Sequence, residues 1–145
     1  MIQQITVFIE NKPGRLTGIL QVLAENGIDL NGITVADSSD FGVFRMILSD
    51  PQQGEIVLKQ KGYIVKTTEV LAIDVHDTPG GLLRAMQLLS KEGVNVQYMY
   101  AFGTKLAAHA MIILKTDENK RAAAILEQGK VDVLSQQELE ERLTV

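Results

Sequence analysis

The chain has 145 residues, of which 46% are hydrophobic and 22% are charged, and its formal net charge at pH 7 is −4. This composition is typical of a globular protein and excludes a disordered or low-complexity chain. The acidic balance argues against a nucleic-acid-binding surface, and the absence of cysteine excludes disulfides and thiol catalysis. No apolar stretch approaches the roughly 18 residues of a membrane span, and no signal peptide opens the chain, so we expect a cytoplasmic protein.

The first predicted elements are a strand, a Pro-Gly turn and a helix. Ile5, Val7 and Ile9 lie at every second position and so share one face, which predicts a half-buried strand over 5–9. The turn is Asn11-Lys12-Pro13-Gly14-Arg15-Leu16. The helix after it is indicated by apolar residues at the spacing of one helical face, namely Leu16, Ile19, Leu20 and Leu23. Gly27 is expected to end this helix.

The rest of the first half predicts two strands, a helix and a fourth strand. The strands are expected at 28–35 and 41–48, with the polar turn Asp37-Ser38-Ser39-Asp40 between them. Asp50-Pro51 predicts a helix start that combines a capping side chain with a proline in the first turn, and Gly62 is expected to end the helix. The fourth strand is expected at 63–67.

The same series then occurs a second time. Leu71 to Val75 repeats the first strand, and Asp77-Thr78-Pro79-Gly80-Gly81-Leu82 repeats the turn 66 positions after its first occurrence. The remaining expected elements are a helix ending at Gly93, strands at 94–101 and 107–114 joined by a Gly103-Thr104-Lys105 turn, a helix from Thr116-Asp117 to Gly129, and a strand at 131–134. Ser135 and Glu138 fit a capping box, which predicts a short terminal helix without a counterpart in the first half.

The predicted fold is α+β, with two tandem ferredoxin-like βαββαβ domains at 1–68 and 69–145. Helices cover one face of each antiparallel sheet, and right-handed crossovers place the first and third strands in the middle. The second strand of each domain is then an edge, and we expect these edges to pair between domains into a longer sheet. Domains of about 70 residues are marginal alone, so a homodimer is also expected.

The turn, the helix and the Gly-Ile-Asp-Leu segment from Gly27 resemble the ACT domain, and two such units fill almost the whole chain. The resemblance implies a non-catalytic regulatory protein that binds a free amino acid near an interface between two domains. With no catalytic or DNA-binding segment, the signal would pass to a partner enzyme, with branched-chain amino-acid biosynthesis as an analogy.

The chemistry of the turn supports an anion site independently of the resemblance. The first N–H groups of a helix lack intrahelical partners and lie at the positive end of the helix dipole, where they suit a carboxylate. Free N–H groups are expected at Arg15 and Leu16, and at Gly81 and Leu82, with Gly14 and Gly80 allowing close approach. The family resemblance adds polar side chains at both ends of each helix, which are Asn11, Asp29, Asp77 and Asn95.

Other interpretations remain open at this point. The turns are also consistent with simple helix capping in a structural or oligomerisation module, or in a regulatory subunit without its own ligand. His76, beside the second turn, is a possible ligand contact, whereas His109 has no predicted role beyond packing or exposure. No metal site, cofactor or catalytic constellation is expected.

Overall fold

The chain folds into two compact units. The computed structural model describes residues 1–37, 40–103 and 107–144, so the predicted turn residues Ser38, Ser39, Thr104 and Lys105 lie outside the described residues. The first unit is Gln3–Thr68, and the second unit is Glu69–Val145 together with Met1–Ile2.

Each unit contains the predicted succession of strands and helices. The elements that begin in the first half are β1 (Ile2–Glu10), α1 (Arg15–Glu25), β2 (Leu30–Asp37), β3 (Phe41–Leu48), α2 (Pro51–Gln60) and β4 (Ile64–His76). Those that follow are α3 (Gly81–Lys91), β5 (Val96–Phe102), β6 (His109–Thr116), α4 (Asn119–Gln128), β7 (Asp132–Val133) and α5 (Gln136–Thr144).

The strand order of each unit is that of a ferredoxin-like fold, which confirms the predicted fold class. In the first unit β1 pairs antiparallel with β3, β2 lies on the outer side of β3, and β4 lies beside β1. In the second unit β4 pairs with β6 and with β7, and β5 lies outside β6.

One face of each sheet is covered by its two helices. The buried residues of the first core come from both layers, and they include Ile5, Val7, Ile19, Leu23 and Phe44. The corresponding core of the second unit includes Leu71, Ile73, Ala85, Leu89 and Leu126. The predicted apolar face of α1 is buried at Ile19 and Leu23, whereas Leu16 and Leu20 of that face are 37% and 38% exposed. Burial of these apolar side chains is the main stabilising contribution.

Two predictions about the strands are wrong. The strands expected at 63–67 and 71–75 are one continuous strand, β4, because no glycine or proline interrupts the chain between them. The expected pairing between the second strands is also absent from the described residues, where β2 pairs with β3 and β5 pairs with β6. Both remain edge strands.

The helix ends differ from expectation in the second unit. Asp50 caps α2 as predicted, accepting a hydrogen bond from Gln53 N–H at 3.1 Å. The helix expected from Thr116 begins instead at Asn119, whose side-chain oxygen accepts from Thr116 N–H at 2.9 Å. Gly129 does follow α4, but its φ is not positive. Gly62 has φ 87° after α2, and the residue with positive φ after α4 is Lys130, with φ 62°. The positive-φ residues after α2 and α4 are therefore 68 positions apart, whereas the predicted helix-ending glycines, Gly62 and Gly129, are 67 apart.

The terminal helix α5 is present with its predicted capping box. Ser135 Oγ accepts from Glu138 N–H at 3.1 Å, and Glu138 Oε2 accepts from Ser135 N–H at 3.3 Å. Leu139 is only 1% exposed, so α5 packs against the unit rather than projecting from it. Within the described part of the chain, no helix is long and apolar enough to cross a membrane.

Candidate functional site

Both Pro-Gly turns place a glycine at the start of a helix in a left-handed conformation. Gly14 has φ 85° before α1, and Gly80 has φ 87° before α3. Glycine adopts this conformation without the steric cost that a Cβ imposes. Neither helix has a side-chain cap, so Asn11 and Asp77 are not the N-caps that the simpler interpretation of the turns requires.

Two of the four backbone N–H groups expected to be free are used by the protein itself. Arg15 N–H donates to the Lys12 carbonyl at 3.4 Å, and Gly81 N–H donates to the Thr78 carbonyl at 3.0 Å. The prediction was wrong for these two residues, because the first N–H of each helix donates to a carbonyl of the turn before it. Among the described residues no oxygen accepts a hydrogen bond from the N–H of Leu16 or Leu82. One donor therefore remains in each turn.

The structure does not bring Asp29 or Asn95 to the turn of the same unit. Each follows the far end of an 11-residue helix, which spans roughly 16 Å. Asp29 N–H donates to Ser49 Oγ at 2.9 Å, and Asn95 N–H donates to Asp117 Oδ1 at 3.1 Å. The first hydrogen bond thus joins the start of β2 to the end of β3, and the second joins the start of β5 to the end of β6.

A cavity of about 380 Å³ lies beside the turn of the second unit. Of the predicted ligand-binding residues, only Gly80 and Gly81 line it. Asp77 is beside the cavity, and its N–H donates to the Ala108 carbonyl at 2.8 Å. Of the other polar residues that line the wall, only His76 was suggested as a ligand contact. They are Asp74, His76, Thr78, Arg84, His109, Lys130 and Asp132.

Gly81 is a close-approach position in the wall of this cavity. A Cβ at Gly81 would lie 2.1 Å from the His76 carbonyl oxygen, a backbone atom that cannot move aside as a side chain does. The first unit has Arg15 at this place in the repeat. Gly81 therefore brings the start of α3 against the end of β4 and leaves no side chain at that point of the wall.

A buried carboxylate supports the same wall. The Asp74 side chain is 2% exposed, and its Oδ1 lies 2.8 Å from His109 Nδ1. An ionised carboxylate only accepts hydrogen bonds, so Nδ1 carries the proton and a neutral His109 keeps Nε2 as an acceptor. Arg142 of α5 pairs with the other oxygen of Asp74. The His109 ring also lies 5.5 Å from the ring of His76, centroid to centroid.

His109 was predicted to have no role beyond packing or exposure, and in the structure it contacts Asp74 and lines the second cavity. It lies opposite His76 in the pairing of β4 with β6, and this register brings two histidines together that are far apart in sequence. No local signal in the sequence marks this pairing. The other missed residue, Lys130, stands at the place of Gly62 after its helix, and no local signal in the sequence marks it.

The equivalent cavity of the first unit is smaller and contains its own ion pairs. Its volume is about 220 Å³, and its wall includes Glu10 and Arg15. Glu10 lies 2.8 Å from the Lys12 ammonium and 3.8 Å from the Arg15 guanidinium. The hydrogen bond from Lys12, with the charges of Lys12 and Arg15, lowers the pKa of the Glu10 carboxyl. The Glu10 carboxylate is therefore already paired, and the three groups together retain one net positive charge.

No cluster of three or more metal-ligating side chains is found in the part of the chain that the structure describes. The polar wall of the second cavity is therefore a set of hydrogen-bonding and charged groups around a concave space. Its volume lies within the range of about 300–1,000 Å³ of small-molecule sites in proteins. The equivalent cavity beside the first turn, at about 220 Å³, is smaller than this range.

Comparison with known proteins matches this architecture along nearly the whole chain. Among solved structures, protein BT0572 from Bacteroides thetaiotaomicron is 34% identical with a TM-score of 0.90, covering 97% of this chain and 96% of that chain. The ligand-free regulatory subunit of aspartate kinase from Thermus thermophilus is 16% identical with a TM-score of 0.65, covering 88% and 91%. The regulatory subunit of aspartate kinase from Thermus flavus is 18% identical with a TM-score of 0.60, covering 88% and 92%.

The two aspartate kinase subunits share the fold at low identity. No curated protein matches the sequence. The family model described as an ACT domain pair matches residues 1–143. The chain therefore belongs to the family of ACT domain pairs.

Proposed function

We propose that the protein is a non-catalytic regulator that binds a free amino acid in the cavity of its second unit. The observation that carries the proposal is the cavity of about 380 Å³ beside Gly80 and Gly81, with its polar wall at the start of α3. The Leu82 N–H and the positive end of the α3 dipole suit the α-carboxylate. Asp132 supplies an acceptor for the α-ammonium.

The second unit is the better ligand site of the two. Of the two cavities beside the Pro-Gly turns its cavity is the larger, and Gly81 leaves the wall without a side chain where the first unit carries Arg15. In the first unit Glu10 is already bound to Lys12 and Arg15, so a zwitterion there would have to displace existing ion pairs. We therefore propose one amino-acid-binding site per chain, in the second unit.

A ligand in this cavity acts on a partner only if it binds two states of the protein with different affinity. The partner is proposed to be an enzyme of amino-acid metabolism. Two proteins of the same fold are regulatory subunits of aspartate kinase, and the partner class is assigned by that analogy of fold.

Calorimetric titration of the full chain with each of the twenty amino acids tests the proposal. We expect at least one to bind with a dissociation constant in the millimolar range or below. Gly80→Leu should weaken that binding at least about tenfold, because a side chain would then stand at the cavity. Gly14→Leu is the matched control, since Gly14 and Gly80 share φ values of 85° and 87° and neither has an atom within 4 Å of a built Cβ.

Absence of binding by all twenty amino acids contradicts the proposal. Equal weakening by Gly80→Leu and Gly14→Leu contradicts its assignment to the second unit. Each variant is compared with the unchanged chain by circular dichroism, so that a loss of fold is recognised separately from a loss of binding.

A structural or oligomerisation module is the second candidate function, and the exposed edge strands favour it. Ile33 and Val35 on β2 are 47% and 49% exposed, and Met99 on β5 is 44% exposed. Edge strands with exposed apolar side chains gain stability by pairing with another chain. The homodimer proposed on this basis is tested by sedimentation equilibrium, in which a stable monomer at micromolar concentration would contradict it.

A further inference from the structure

Lys130 occupies a backbone conformation that normally favours glycine. Its φ is 62°, and the first unit has Gly62 with φ 87° in the same place after the helix. A side chain in this region of backbone space costs conformational free energy, and such residues are concentrated at functional sites. The first unit shows that the fold accepts glycine here. The backbone turn therefore does not require a lysine at this position.

The ammonium of Lys130 has no carboxylate partner among the described residues. The ion pairs of the second unit involve Arg121 with its two glutamates, and Asp74 with His109 and Arg142. Lys130 takes part in none of them, although it lines the cavity. Its positive charge is therefore available to a molecule in that space.

The remaining charges of the wall leave an excess of cationic groups. Arg84 donates to the Gly129 carbonyl, a neutral acceptor that leaves the guanidinium charge uncompensated. Asp74 is already held by His109 and Arg142. Asp132 is then the one described carboxylate of the wall that forms no ion pair with another described residue, against the two cations Arg84 and Lys130.

We propose that the second cavity selects an amino acid with an acidic side chain, and that Lys130 is the residue that determines this specificity. This rests on the proposed function, because the α-carboxylate and α-ammonium are held as described there. The side-chain carboxylate of the ligand meets the Lys130 ammonium, with Arg84 adding to the positive potential. A carboxylate bound by an ammonium forms a charge-assisted hydrogen bond, which a neutral amide forms more weakly.

The selection belongs to the second unit alone. The first unit has Gly62 where the second has Lys130, and its cavity wall carries the carboxylate of Glu10 where the second unit has His76. An acidic ligand in the first cavity would meet Glu10 with Lys12 and Arg15 already paired to it, whereas in the second cavity it would meet the Lys130 ammonium, which forms no ion pair with another described residue.

The test compares acids with their amides by calorimetry on the full chain, using L-aspartate with L-asparagine and L-glutamate with L-glutamine. We expect at least one acid to bind about tenfold or more tightly than its amide. Lys130→Gly should abolish that difference and leave the affinity for the amide within about twofold, because the substitution removes the ammonium and keeps the backbone turn.

Ala108→Gly is the matched control. Ala108 is the other described non-glycine residue with positive φ, at 63°, and it carries no charge. Both substitutions relieve backbone strain, so both should raise thermal stability, but only Lys130→Gly should change the preference for the acid.

Three results would overturn the inference. The first is equal affinity for acid and amide in the unchanged chain, and the second is tighter binding of a neutral or basic amino acid. The third is an acid preference that survives Lys130→Gly. In each of these an amino acid still binds, so the proposed function stands. Absence of binding by all twenty amino acids removes the proposed function itself and this inference with it.

Discussion

Gly81 and Arg15 occupy the same place in the two turns, but only the first turn has room for a side chain there. A Cβ at Gly81 would lie 2.1 Å from a backbone oxygen, whereas the first unit accommodates the whole Arg15 side chain. The difference shows that the second turn lies closer to the end of its first strand. That close approach shapes one end of the larger cavity.

Gly81→Ala is therefore expected to lower the free energy of unfolding by about 1–3 kcal/mol, the usual cost of forcing extra atoms into a packed site. Arg15→Ala is expected to change it by no more than about 0.5 kcal/mol, because Arg15 is an exposed side chain in a surface ion pair. Urea denaturation of both variants measures the difference. Equal effects of the two substitutions would contradict the close approach.

The helix-ending glycines Gly27 and Gly93 have the positive φ that favours glycine after a helix, at 68° and 73°, and this is a local signal in the sequence. The left-handed conformation of Gly14 and Gly80 and the use of the turn donors were not predicted. Whether an N–H finds an acceptor depends on how far the turn tightens. For that reason the engagement of the Arg15 and Gly81 N–H groups was not visible in the sequence.

At the scale of the elements, α5 is tied to the wall of the second cavity through one buried carboxylate. Arg142 extends from α5 to Asp74, which in turn holds His109. The helix is therefore more than a terminal appendage, since its arginine helps to neutralise a charge that is buried beside the cavity. Removing one partner of a buried charge costs more than removing an exposed pair.

We expect Arg142→Met to lower the free energy of unfolding by about 1–3 kcal/mol, the cost of a buried polar group that loses a partner. Arg121→Met is the matched control, because Arg121 pairs with exposed Glu118 and Glu92, and its loss should cost less than about 1 kcal/mol. Chemical denaturation compares the two. Equal losses would show that Arg142 is only a surface residue.

The packing of α2 against β4 includes a pH-dependent contact. Glu55 lies 2.6 Å from the Lys59 ammonium and accepts from Thr67 Oγ1 at 2.8 Å. The hydrogen bond from Lys59, followed by that from Thr67, lowers the pKa of the Glu55 carboxyl below its ordinary value. A lowered pKa in the folded state stabilises the fold above the unfolded pKa of about 4.3, and this contribution is lost as the pH falls through the folded value.

Glu55→Gln should therefore destabilise the protein at pH 7 by less than about 1 kcal/mol, because the pair is partly exposed. The difference in stability between the variant and the unchanged chain should shrink as the pH falls from the unfolded pKa of about 4.3 through the lower folded pKa of Glu55, and should stay constant below it. Thermal unfolding of both proteins over a pH series measures it. A difference that grows toward acid pH would contradict a stabilising, ionised Glu55 in the folded protein.

Prediction of the elements from the sequence succeeded where the signal is local. Alternation and helical spacing indicate which face is buried, and the buried residues of both cores include Ile5, Ile19, Leu71 and Leu89 as expected. The continuous strand β4 was missed because both units contribute to it. A pattern that predicts two short strands is equally consistent with one long strand when no turn residue separates them.

For the whole molecule, the central consequence is that the internal repeat is symmetrical in fold and asymmetrical in chemistry. The first cavity contains Glu10 bound by Lys12 and Arg15, and the second contains cationic groups and a glycine. The repeat was evident from the sequence, since the two turns match residue for residue in part. The chemical asymmetry was not evident from the sequence. The wall of the second cavity is built from four separate segments, which strand pairing and the ends of helices bring together.

The most direct test of the second-unit site is a nuclear magnetic resonance titration of the ¹⁵N-labelled full chain with the amino acid that binds best in calorimetry. The amide signals of Leu82 and Lys130 should shift with saturation, while those of Leu16 and Gly62 stay in place. Shifts confined to Leu16 and Gly62, or of equal size at both pairs of positions, would contradict the assignment of the ligand to the second unit.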